Sequence, residues 1–118
     1  MIACDKYDNL VGSFIFRYPN MSADNLGKDI GLSSEELTKV VHMESVVVLS
    51  KYRCRALQSK MLQHAENLID KNKYRYFVAT VAPNNIASIK SFEKNSYKLV
   101  REVKKYGGLQ RLIYLKKV

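Results

Sequence analysis

The junction between an apolar run and a helix near the middle of the chain constrains the fold most. Val46, Val47, Val48 and Leu49 form a run short enough for a buried β-strand, and a basic loop follows directly. Hydrophobic residues then recur at helical spacing over about residues 55–71. A strand that leads straight into a helix is the first half of a β-α-β unit, so the sequence predicts an α/β layer fold.

The same junction is a candidate site for an anionic ligand. A helix N-terminus exposes unpaired N–H groups and a partial positive charge, and Arg53 and Arg55 add two permanent cations beside it. The functional interpretation is a pyrophosphate cradle made of the backbone N–H groups of residues 54–59. The alternative is a plain strand-to-helix turn with solvated arginines, and the residues of this segment alone leave both open.

Composition indicates one basic domain. The chain has 118 residues, 47% of them hydrophobic, and 20 Lys and Arg against 11 Asp and Glu give a formal charge of +9. That charge favours a phosphorylated small molecule, a nucleic acid or an anionic surface as partner. Cys4 and Cys54 form no disulfide framework, and His42 and His64 lack metal-ligand spacing. We therefore expect a cytoplasmic protein with no metal site and no membrane span.

Strands and helices alternate along the rest of the chain. We predict strands over residues 10–18, 40–49 and 76–82, helices over 34–39, 55–71 and from Asn84 or Asn85 to about 95, and a closing hairpin that turns at Gly107-Gly108. Ser33 and Glu36 have the spacing of a capping box. The residues expected to face the core from the second and third helices are Leu57, Met61, Leu62, Ala65, Leu68, Ile69, Ile86, Ile89 and Phe92.

Asn85 is a second candidate binding residue. It follows the end of a strand, where open α/β sheets place their ligands. Its amide could hold a ligand amide or position a water molecule. The alternative is a simple helix cap, which the residue taken alone favours.

Three stretches of the chain resemble the GNAT superfamily of acetyl-CoA-dependent N-acetyltransferases, and the similarity covers roughly residues 10–118. They are VVVLSKYRCRALQSKML, TVAPNNIASIKSFEKNSYKLV and KYGGLQRLIYLKK. The family's phosphate loop reads Gln/Arg-x-x-Gly-x-Gly/Ala, and here Arg53 opens it while Ala56 and Gln58 replace glycines. The family's second signature is an Asn, seven residues later a Tyr, and then Gly-Phe. Asn85, Phe92 and residues 96–97 take those places.

The resemblance implies a GNAT-like mixed sheet, mainly antiparallel, with a central parallel β-α-β unit and helices on both faces. It implies that the pantetheine arm of acetyl-CoA lies along a splayed strand and that the diphosphate binds the loop. Asn85 would contact the pantetheine, and Phe92 would flank the thioester sulfur. The acetyl-CoA-binding residues carried over in this way are Val46, Val47, Val48, Arg53, Cys54, Arg55, Ala56, Leu57, Gln58, Ser59, Asn85 and Phe92.

The implied reaction is transfer of acetyl from acetyl-CoA to a primary amine, on a small molecule or a protein, by direct attack. Glu44, on the strand that leads to Val46, is the candidate general base, and its alternative is a salt-bridged strand-end carboxylate. Phe92 lacks the hydroxyl with which the family often protonates the leaving thiolate. This loss and the missing loop glycines support the alternative to that reaction, a catalytically impaired CoA-binding or regulatory domain.

The surroundings of the site give further expectations. We expect one domain over residues 1–118, with a loop and short-helix insertion at 19–39. The family begins with a strand and two helices that cover part of the acceptor site, and this domain is N-terminally short by comparison. An open acceptor pocket would suit a protein acceptor or completion by a second copy in a homodimer. A nucleic acid is a weak third candidate because only the net charge supports it and no recognised motif is present.

Overall fold

Six strands form one sheet in the computed structural model, which describes residues 2–4, 10–48, 57–105 and 107–118. The strands are β1 (Ile2–Cys4), β2 (Leu10–Arg17), β3 (Val40–Val48), β4 (Tyr76–Val81), β5 (Lys98–Lys105) and β6 (Leu109–Lys117). Their spatial order is β1-β2-β3-β4-β6-β5. β3 and β4 are parallel, and the other neighbouring pairs are antiparallel. The predicted mixed, mainly antiparallel sheet with a central parallel β-α-β unit is confirmed.

Helices cover both faces of the sheet, as predicted. α2 (Leu57–Leu68) and α3 (Ile86–Lys94) pack together on one face. The other face is covered by a 3₁₀ turn (Leu26–Lys28) and by α1 (Ser34–Leu37). The capping box of α1 is present, because the Glu36 N–H donates to Ser33 Oγ (3.2 Å) and the Ser33 N–H donates to Glu36 Oε1 (2.9 Å).

The strand alternation divides the core between the two faces. Val41, Met43 and Phe77 belong to the cluster under α2 and α3. Val40 and Val78, one residue out of phase, belong to the cluster on the opposite face. Because all five side chains are buried, the centre of the sheet is apolar on both sides. Each such burial contributes roughly 1.5–3 kcal/mol relative to an exposed side chain.

Two of the predicted core positions are wrong. Leu68 is 57% exposed and Ile86 is 54% exposed. α2 ends at Leu68 rather than near residue 71, and Ile69, which was also predicted to face the core, is buried directly after the helix. Ile86 is the first residue of α3, and the core contacts of that helix begin one turn later, at Ile89.

The closing hairpin turns where the sequence predicts. Gly107 and Gly108 have φ angles of 79° and 105°, in the left-handed region that glycine adopts without strain. They join β5 to β6, which returns between β4 and β5. The hairpin therefore adds two strands to one side of the parallel unit, and Lys105 at the end of β5 reaches the site described below.

Candidate active site

The parallel strands β3 and β4 are paired over only part of their length. Their register pairs Val40 with Tyr76, Val41 with Phe77 and His42 with Val78. β3 continues to Val48 and β4 to Val81, and within the described residues no register pair joins the two strands beyond His42 and Val78. An open strand edge of this kind can pair with an extended ligand that carries amide groups.

A β-bulge places Glu44 where the two strands separate. On β2, Ile15 pairs with Ser45 and Phe16 pairs with Met43, so Glu44 is the extra residue of β3. A bulge raises the local twist and redirects a side chain, and bulges are frequent beside active sites. Glu44 lies two residues beyond the last pair between β3 and β4, so the bulge and the separation coincide.

A cleft of about 410 Å³ opens at this point, within the usual size range of small-molecule sites. β2, β3, β4 and β5 each contribute to it, and so does the segment between β2 and the 3₁₀ turn. Its lining residues are Arg17, Asp24, Leu26, His42, Met43, Glu44, Val78, Thr80 and Lys105. Sequence reasoning found Glu44 but missed Arg17 and Asp24, because only the register between β2 and β3 brings them together.

A row of three charged groups crosses the cleft. Arg17 Nε donates to Glu44 Oε1 (2.8 Å), and Arg17 Nη2 donates to Asp24 Oδ2 (2.7 Å). Ser22 Oγ donates to the other oxygen of Asp24 (2.6 Å). The bonds from Ser22 and Arg17 lower the pKa of Asp24 to about 2, and the two carboxylates raise the pKa of Arg17. Asp24 and Arg17 are therefore charged at neutral pH.

His42 is a buried neutral side chain beneath this row. It is 3% exposed, and its Nε2 accepts the Leu26 N–H at 3.0 Å. A backbone N–H can only donate, so this bond assigns the ring proton to Nδ1, which lies 3.8 Å from Glu44 Oε1. The Arg17 guanidinium also can only donate, so its Nη2, 3.2 Å from Nδ1, is a close neighbour of this N–H and not its hydrogen-bond partner. Burial and then the charge of Arg17 lower the pKa of His42. The signal in the sequence that could have identified His42 is its position as a single polar residue between apolar residues of a predicted strand.

We expect acid to weaken the hold of His42 on Leu26. Since the folded-state pKa is lowered, the neutral ring stabilises the protein fully above about pH 6.5, and this contribution is lost as pH falls through the lowered pKa. Urea unfolding at about pH 7.5 and about pH 5 measures the loss. A His42→Gln variant, whose oxygen can accept the same N–H without titrating, should lose less stability on acidification than the wild type.

The second histidine provides the control. His64 is exposed on α2, so a His64→Gln variant should keep the pH dependence of the wild type. Equal pH dependence in the wild type and His42→Gln would show that His42 is not the group that titrates.

Within the described ranges, no cluster of three or more His, Cys, Asp or Glu is placed to hold a metal, and no helix is long and apolar enough to cross a membrane.

Polar contacts between α2 and α3 bring the two sequence signatures together. Gln58 Nε2 donates to Ser88 Oγ (2.7 Å), and Asn95 Nδ2 donates to Ser59 Oγ (2.9 Å). Asn85 Oδ1 accepts the Ser88 N–H (3.2 Å), so Asn85 caps α3 as its alternative interpretation has it. The start of α2 and the first turn of α3 are thus neighbours, as one shared ligand would require. The pantetheine contact of Asn85 stays a prediction.

The other expected cofactor residues are only partly described. Phe92 is buried, with its ring centroid 4.9 Å from that of Tyr97 and 6.3 Å from that of Tyr114, and its contact with the thioester sulfur stays a prediction. Val46, Val47 and Val48 are described as strand backbone, and Leu57 as the first residue of α2. The phosphate-loop residues Arg53, Cys54, Arg55 and Ala56 lie outside the described residues.

The sequence model of the Acetyltransferase (GNAT) family matches residues 2–97, most of the chain. This chain belongs to the GNAT acetyltransferase family. The family uses acetyl-CoA as co-substrate. The ligand predicted to bind the phosphate loop and Asn85 is therefore the co-substrate of the family. Among curated proteins, none matches the sequence significantly.

Solved structures share the GNAT fold at low identity. An acetyltransferase candidate from Acinetobacter baylyi has a TM-score of 0.73 at 17% identity over 99% of this chain and 62% of its own. Chaetomium thermophilum Naa20, solved with a bisubstrate analogue, has a TM-score of 0.76 at 16% identity. The match covers 98% of this chain and 64% of the Naa20 chain. The ribosomal-protein-S5-alanine acetyltransferase of Vibrio fischeri has a TM-score of 0.71 at 16% identity, and the match covers 98% of this chain and 59% of its own. This chain therefore spans about three fifths of the length of these GNAT structures.

Proposed function

We propose that this GNAT domain is an acetyl-CoA-dependent N-acetyltransferase that acts on a primary amine. The observation that carries the proposal is the separation of β3 and β4 beside a bulge that carries Glu44. One strand edge is open to an extended co-substrate, and a carboxylate lies in the adjoining cleft. Family membership supplies the chemistry, and these two features support our assignment of it to this edge of the sheet.

The open edge of β3 fits the pantetheine arm. The backbone of Val46, Val47 and Val48 would pair with the amide groups of the arm, as an added strand pairs with a sheet edge. The diphosphate would bind the N–H groups of residues 54–59 at the start of α2, beside Arg53 and Arg55. Asn85 at the start of α3 would contact the arm from the other side, which the bond between Gln58 and Ser88 supports.

Glu44 would act on the acceptor from the cleft side. Its carboxylate takes a proton from the acceptor ammonium, and the free nitrogen lone pair attacks the thioester carbonyl carbon. The new C–N bond forms, the C–S bond breaks as the thiolate leaves, and the second proton of the attacking nitrogen passes through water to the thiolate. A thiol pKa of about 8.5 makes the thiolate an acceptable leaving group without a hydroxyl at Phe92. The backbone N–H near Val48 would polarise the carbonyl oxygen, and the remaining gain comes from positioning.

The acceptor is a primary amine on a small molecule or a protein. We propose that residues 1–118 act as one domain and that the 19–39 segment helps to build the acceptor side, since Asp24 and Leu26 line the cleft. A homodimer that completes this side is part of the proposal, and light scattering tests it. Incubation with acetyl-CoA and a panel of amines and peptides, followed by free-thiol release, tests the activity. CoA binding without turnover would instead support the impaired CoA-binding domain.

CoA is expected to slow amide hydrogen exchange along β3. Because β2 already pairs with one edge of β3, protection should appear at the alternate amides of residues 43–48 that face the gap. Exchange measured with and without CoA by mass spectrometry or NMR checks this, and it does not require turnover. The strand β5, which among the described strands pairs only with β6, is the internal control and should keep its exchange rates. Unchanged exchange in β3 would contradict binding in the gap.

A further inference from the structure

The charged row has an arrangement that the proposed reaction does not by itself require. We propose that Arg17 and Asp24 are positioning residues for Glu44. Arg17 binds one oxygen of the Glu44 carboxylate, and Asp24 holds Arg17, so that the carboxylate is oriented to accept a proton. This inference rests on the proposed role of Glu44 as the general base. It adds two residues of β2 and the following loop to the machinery of the site.

The division of the Arg17 donors carries the inference. An arginine commonly binds a carboxylate with two parallel N–H groups, which engages both oxygens. Here Nε donates to Glu44 Oε1 at 2.8 Å, and Nη2 donates to Asp24 Oδ2 at 2.7 Å. Because Asp24 takes the second donor, Arg17 bonds Glu44 through Oε1 alone. That bond fixes the carboxylate and does not engage Oε2, the oxygen through which it can accept a proton.

Asp24 can direct Arg17 because its loop is anchored at several points. Ser22 Oγ donates to Asp24 Oδ1 at 2.6 Å, and the next residue, Asn25, is buried and donates to the Leu37 carbonyl at 3.0 Å. The Leu26 N–H then donates to His42 on β3. The loop therefore holds Asp24 against β3, and Asp24 in turn holds Arg17.

The bulge explains why Glu44 needs such a hold. As the extra residue of β3, it has no register partner on β2 to limit its direction, whereas Arg17 is paired with His42. All three charged side chains are at least a third exposed, and exposed ion pairs contribute little to stability. Variants of the row should therefore fold, and their main effect should be on the rate.

Steady-state kinetics of variants tests the inference. Arg17→Gln should lower kcat by at least ~10-fold and up to ~100-fold, with KM for acetyl-CoA unchanged, because a misplaced base slows transfer without altering co-substrate binding. Asp24→Asn should lower kcat less, and Arg17→Lys should restore part of it. Added guanidinium ion should partly rescue Arg17→Ala. The matched control is Arg75→Gln, an exposed arginine that donates to the Lys71 carbonyl, which should leave kcat unchanged.

A double-variant cycle separates positioning from other effects. In a Glu44→Gln background, Arg17→Gln should cause no further loss of kcat, because no base is left to position. An unchanged kcat in Arg17→Gln, or an equal loss in both backgrounds, would overturn the inference while leaving the acetyltransferase activity standing. Absence of turnover in the wild-type protein with every amine would overturn the proposed function, and the inference with it.

Discussion

A Glu44→Gln variant should lose about 10²- to 10⁴-fold in kcat while binding acetyl-CoA as tightly as the wild type. Glutamine has the size of glutamate and an oxygen that can accept the Arg17 N–H, but it does not take a proton from an ammonium at neutral pH. The local structure should therefore persist while the base is lost. Initial rates of thiol release at saturating acetyl-CoA and amine give kcat, and calorimetry gives the affinity.

The matched control is Glu93→Gln, which changes an exposed carboxylate on α3. This variant should retain the wild-type kcat. A Glu44→Gln variant with an unchanged rate and pH profile would leave Glu44 as a salt-bridged carboxylate, the alternative that its bond to Arg17 also permits. The proton acceptor would then have to be water or the acceptor's own basic group.

A Glu66→Leu variant should lose about 3 kcal/mol of unfolding free energy. Glu66 is buried on α2, where it accepts the Tyr97 hydroxyl (2.8 Å) and pairs with Lys116 (3.1 Å). Burial and the neighbouring carboxylate raise the pKa of Tyr97, so its hydroxyl stays protonated and needs an acceptor. Removal of the carboxylate leaves a buried hydroxyl and an ammonium without their partner. The expected loss is at the lower end for a broken buried pair, because the Lys116 side chain is 26% exposed.

Urea unfolding monitored by circular dichroism measures this loss. Glu93→Leu, the same change on the exposed surface of α3, should alter the unfolding free energy by less than ~0.5 kcal/mol. Tyr97→Phe removes one hydrogen bond and keeps the ion pair, so a loss of about 1 kcal/mol is expected. A Glu66→Leu loss no larger than the Tyr97→Phe loss would show that the pair with Lys116 only offsets its own desolvation.

The sequence predicted those structural elements that depend on a few neighbouring residues. The buried run around Val41, the capping box of Ser33 and Glu36, and the turn at Gly107-Gly108 each depend on a few adjacent residues. The spatial order of the strands was not predicted, because the return of β6 beside β4 depends on pairing between distant segments. The three-residue strand β1 was missed because it is too short to show alternation.

The contacts between the acidic and basic side chains of the cleft could not be predicted from the sequence for the same reason. Glu44 is distant in the chain from both Arg17 and Asp24, and no spacing rule joins it to them. They meet because β2 pairs with β3 and because a bulge adds one residue to β3. The sequence Met43-Glu44-Ser45 carries no signal for that bulge. Glu44 was found through family resemblance, whereas its partners required the register.

The gap between β3 and β4 also bears on how this protein stays folded in a cell. A ligand that binds only the folded chain stabilises it, by about 2.7 kcal/mol when its concentration is 100 times its Kd. If CoA takes the gap as we propose, it behaves as a seventh strand that the chain does not encode. The supply of acetyl-CoA would then set the amount of folded protein as well as the rate of transfer. In a cell short of acetyl-CoA, more of the protein would be unfolded and exposed to proteases.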